Sequence, residues 1–102
     1  MKELKEVIMD IHEELECAEK YAKEAVKHKE QYPSLAAVYY RISTDDLAHM
    51  DMLHKQAVDM IEEKKRDGRE VPASMQAIWD WEHEKMMDET ADVKRLLEMY
   101  KG

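Results

Sequence analysis

The chain has 102 residues, enough for one hydrophobic core and no more. With 44% hydrophobic and 39% charged residues, two glycines and two prolines, it is too apolar for disorder and too poor in turn residues for a sheet protein. Lys+Arg 16 against Asp+Glu 24 gives a net charge of -8, which repels nucleic-acid phosphates and anionic lipid surfaces.

No apolar run reaches the length of a signal peptide or a membrane span, and a single cysteine, Cys17, excludes an intrachain disulfide. A cytoplasmic, all-helical protein is expected, with no nucleic-acid or membrane partner. Nine methionines and no phenylalanine point to a soft, adaptable core.

The first predicted helix covers about residues 3–30. Leu4, Val7, Ile8, Ile11, Leu15, Ala18, Ala22 and Ala25 recur at three and four, as an amphipathic helix requires. Glu14 lies on the flank of this stripe, about 70° from its centre at 100° per residue, while Glu13 and Glu16 project to the solvated side. Tyr32-Pro33-Ser34 interrupts the pattern, and a proline there suits the first turn of a new helix.

The second helix runs over 34–67, a rod of roughly 50 Å at 1.5 Å per residue, until Gly68 takes a left-handed C-terminal position. Its apolar face carries Leu35, Val38, Tyr39, Ile42, Leu53, Ala57 and Met60, and Asp46 and His49 lie within about 35° of the centre of that face. Val71-Pro72-Ala73-Ser74 opens the third helix, about 72–100. Met75, Ile78, Trp79, Met86, Val93, Leu96, Leu97 and Tyr100 form its stripe, again interrupted by acids, Glu82 and Glu89. Short connections make the expected architecture a three-helix antiparallel up-down bundle.

Ionisable groups in apolar stripes need a shared partner. Reflecting residue numbers through the two turns places Glu14 and Glu89 both opposite Met50, within about one helical turn of Asp46 and His49. Glu82 falls opposite Gln56 and Ala57, roughly 10 Å further along, as a separate polar pair or, with a shift of register, a further ligand. Asp46-Leu47-Ala48-His49 sets a carboxylate and an imidazole at i and i+3 on one helical face, where both reach the same ion. Carboxylates with imidazole suit iron, manganese or zinc. The expected metal ligands are therefore Glu14, Asp46, His49 and Glu89, with Glu82 as the alternative on the third helix. His12, His28, His54 and His83 read as surface residues, and Cys17 as an inert flank residue.

The segment Glu14-Leu15-Glu16-Cys17-Ala18-Glu19-Lys20-Tyr21 resembles the first helix of bacterioferritins and rubrerythrins, where a metal-binding Glu precedes a Tyr by seven residues. Asp46-Leu47-Ala48-His49 is similar to the Glu-x-x-His of their second helix, with Asp for Glu. The resemblance covers roughly residues 3–65 and implies a ferritin-like fold with Glu14, Asp46 and His49 as ligands of a di-iron half-site. It implies Fe(II) oxidation or peroxide handling as the activity.

This chain has three helices where those families have four, so the set is expected to need a second protomer. Pairing through the first two helices supplies four carboxylates and two imidazoles, similar to the two-helix encapsulated ferritins. A homo-oligomer is thus expected, with Trp79 and Trp81 available for further contacts. The competing expectation is a non-enzymatic helical interaction module, in which the same acids and histidine form a buried network that fixes pairing register.

Overall fold

A computed structural model describes residues 2–102 and consists of three antiparallel helices: α1 (Lys2–His28), α2 (Pro33–Arg66) and α3 (Ala73–Lys101). The bundle measures 56 × 18 × 18 Å, so its length is that of α2. Pro33 occupies the first turn of α2, where its missing N–H leaves no bond unmade. The α2 C-terminus closes as a Schellman motif. The Arg69 N–H donates to the Lys64 carbonyl and the Gly68 N–H to the Lys65 carbonyl, with Gly68 at φ 74.

α1 is the hub. Its buried residues Leu4, Ile8, Ile11, Leu15, Ala18, Ala22 and Ala25 alternate steps of four and three along the whole helix. It packs against both neighbours, whereas α2 and α3 approach each other mainly through side chains. The α1 stripe divides into a large-residue half and an alanine half. Leu4, Ile8, Ile11 and Leu15 meet Met50, Ile61, Met75, Trp79 and Met86, while Ala18 and Ala22 meet Val93 and Leu97. In the alanine half the helices come close enough for the buried Ser43 hydroxyl on α2 to donate a 2.7 Å hydrogen bond to the Ala18 carbonyl on α1.

α2 departs from the sequence reading. Its buried residues are Ala36, Ser43, Met50, Ala57 and Ile61, a stripe of mostly small residues rotated from the predicted one. Of the predicted face only Ala57 is fully buried; Tyr39, Ile42, Leu53 and Met60 are partly covered, and Leu35 and Val38 remain 41% and 53% exposed. The bulky residues therefore lie beside the α1–α2 contact, with Leu53 and Met60 packed against the edge of the core and Leu35 and Val38 left open. Trp79 is core, while Trp81 is exposed with Lys85 over its ring. No helix among the described residues is long and apolar enough to cross a membrane.

Candidate metal centre

Glu14, Asp46 and His49 converge. One potential ligand atom from each lies within 4.8 Å of the others, with His49 Nδ1 3.4 Å from Glu14 Oε2. α1 supplies Glu14 from the flank turned toward α2, and α2 supplies the other two from successive turns of one face, as the i, i+3 spacing requires. The side chains are graded in depth. Asp46 is half-buried, Glu14 is 29% exposed and His49 56% exposed, so the group opens onto the uncovered α1–α2 groove.

Asp46 is the uncomfortable member. Its Oδ2 is buried and has no hydrogen-bond partner. Loss of solvation and, next, the Glu14 carboxylate push its carboxyl above the usual 3.8, against a smaller pull from His49. Two carboxylates beside an imidazole concentrate negative charge that a divalent cation would balance while satisfying the orphaned oxygen. Oxygen donors with one imidazole fit a hard or borderline first-row ion, so the residues present suit iron, manganese or zinc better than a soft thiophilic metal.

Glu89 and Glu82 do not join this group. Both lie on the opposite side of α1, where His12 Nε2 pairs with Glu82 and His12 Nδ1 stands 4.0 Å from Glu89. The predicted height of Glu89 is near its observed one, since His12 and Glu14 are about half a turn apart on α1. The side is what differs. His12 and Glu14 project about 160° apart around the helix, so one flank of α1 serves α2 and the other serves α3. Glu82 pairs with His12 and not with Gln56, which is exposed.

The remaining histidines are also more engaged than surface residues. His28 bonds Glu24 at 3.1 Å and stacks on Tyr39, and His54 packs against Trp79 and His83. Cys17 is exposed. Two turns above the centre, Tyr21 and Tyr39 stack with ring centroids 5.7 Å apart. Sequence reasoning missed this stack, although each tyrosine stands seven residues from an acid of the centre. No protein-family model matches the chain, nor does any curated protein or solved structure, so the centre rests on its own geometry and chemistry.

Proposed function

We propose that the protein binds a divalent first-row metal ion, iron before manganese or zinc, through Glu14, Asp46 and His49. The observation that carries the reading is the buried, unpartnered Oδ2 of Asp46 within ligand reach of a second carboxylate and an imidazole. Asp46 and Glu14 supply the charge, and His49, on the solvent side, supplies the exchangeable edge through which an ion enters. Iron held there would supply one-electron chemistry toward dioxygen or peroxide, in keeping with the ferritin-like resemblance of α1 and α2.

Pairing of two protomers across the α1–α2 groove belongs to the same proposal. Leu35, Val38, Ile42, Leu53 and Met60 line α2 at coiled-coil spacing beside the ligands, and the chain leaves them partly or fully uncovered. A second copy would cover them and oppose two sets of Glu14, Asp46 and His49.

The alternative, a helical pairing module, shares the groove and differs in needing no ion. The test is elemental analysis and light-scattering mass of protein purified without chelator, for the parent and for His49→Leu. A metal-bearing parent above the 12.1 kDa protomer mass, with metal lost and helicity kept in the variant, supports the proposal. A metal-free parent whose melting temperature ignores Fe(II), Mn(II) and Zn(II), with a destabilised variant, establishes the pairing module instead.

A further inference from the structure

Where α2 and α3 meet, on the side of the bundle away from the candidate metal centre, three rings pack in a triangle. The His54 and His83 centroids lie 5.0 Å apart, and each lies 5.6 Å from the centroid of Trp79. Trp79 is 7% exposed and belongs to the large-residue core. Because the backbones of these two helices stay apart, the ring layer is a substantial part of what joins them.

His54 Nε2 is buried with no hydrogen-bond partner. A neutral imidazole tolerates this at modest cost. An imidazolium does not, because both ring nitrogens become donors and one is left unpaired together with a buried charge. Each neighbouring element gives a charged form little help. α3 presents His83, which repels it; α2 presents Asp51, an exposed carboxylate three residues back; α1 contributes the apolar Leu4, Ile8 and Ile11 to the same core.

We propose that His54 is an acid-sensitive latch between α2 and α3, sealing the seam over Trp79 while neutral and leaving it when protonated, so that acid opens this part of the bundle and bares Trp79. Opening is local. The far half of α3 stays anchored by Val93 and Leu97 on the α1 alanines and by the Tyr40–Tyr100 stack at 4.8 Å. Burial and, next, His83 hold the folded-state pKa of His54 below the ordinary 6.5. The latch is therefore fully effective above about pH 6.5 and is lost as the pH falls through the folded pKa. One proton coupled to opening raises the opening constant by up to about tenfold per pH unit in that window.

The test uses the full chain carrying Trp81→Phe, so that Trp79 is the single tryptophan and is excited selectively at the red edge where the five tyrosines do not absorb, between pH 7.5 and 5.0. A red shift of the emission maximum and a severalfold rise in acrylamide quenching are expected, with helical circular dichroism retained. His54→Phe, which keeps a ring without a proton, and His54→Met should each hold the high-pH spectrum throughout, and either variant that folds suffices. Emission that does not move in the parent overturns the latch. So does a shift of equal size in the non-titrating variants, or a loss of helicity in step with the shift.

Discussion

Replacing Asp46 by Asn separates the repulsion its carboxylate suffers from the binding it provides. Without metal, Asp46 and Glu14 offer oxygens within 4.8 Å of each other. Two unit charges at that separation repel by about 1 to 3.5 kcal/mol for effective dielectric constants of about 80 down to 20, and the solvent access of this group favours the lower end. The pKa of Asp46 is raised in the folded protein, so its contribution to stability is fully present below the unfolded value of 3.8 and is lost as the pH rises through the folded one. At pH 7 the ionised group is a net cost to the metal-free fold. Asp46→Asn removes that cost at nearly constant volume. The metal-free variant should gain about 1 kcal/mol, or about 4–8 °C in melting temperature for a domain of this size. The gain should shrink to nothing as the pH approaches 3.8.

Metal reverses the order. At 100 times its Kd an ion stabilises the parent by about 2.7 kcal/mol, and a variant short of one carboxylate gains less. Melts of both proteins at pH 7, in chelator and in Mn(II) or anaerobic Fe(II), should therefore cross. A variant that melts below the parent in chelator would show that the ionised carboxylate is a net stabilising partner in the metal-free protein, and the repulsion argument fails.

The packing sets the size of other substitutions as well. Ser43→Ala should cost about 1 kcal/mol in urea unfolding, because the hydroxyl loses its bond to Ala18 while that carbonyl keeps its partner within α1. Gly68→Ala should cost about 1–2 kcal/mol by the same assay through backbone strain alone, since φ is 74 and a Cβ there meets nothing within 4 Å. Glu82→Gln and Glu89→Gln should leave the metal affinity of the Glu14 group unchanged in a titration. Glu82→Gln should weaken the α1–α3 contact through His12 by up to about 1 kcal/mol, read as a lower melting temperature.

The helices were legible because their interruptions are chemical: Pro33 cannot continue α1, Gly68 takes the positive φ that ends α2, and Pro72 stands at the entrance to α3. The core of α1 was legible for a similar reason, since its seven buried residues are all apolar and keep a strict period. α2 misled because hydropathy ranks residues by size as well as polarity. Against an alanine-lined hub the small Ala36 and Ser43 are the buried residues of this half of α2, and neither stands out in a hydrophobic pattern. The larger residues are displaced to the flank, where they form the groove beside the candidate metal centre.

The centre itself shows which coordinate a sequence supplies. Counting residues through two short turns gives height along a bundle, and it placed Glu14, Asp46, His49 and Glu89 at nearly one level. Height adds along the chain at about 1.5 Å per residue, so an error of a few residues moves a group by less than a turn. Azimuth does not behave that way. A flank residue belongs to one groove or the other according to which helix lies on that side. On α1 the two flanks at this level carry Glu14 and His12, each able to pair with an acid or imidazole across the groove. What decides between them is the packing of α3, which turns Glu82 and Glu89 toward α1 and His83 toward α2. The apolar period of α3 is compatible with acids on either side of its stripe, so the division into two polar groups is set by tertiary packing and not by spacing in the chain.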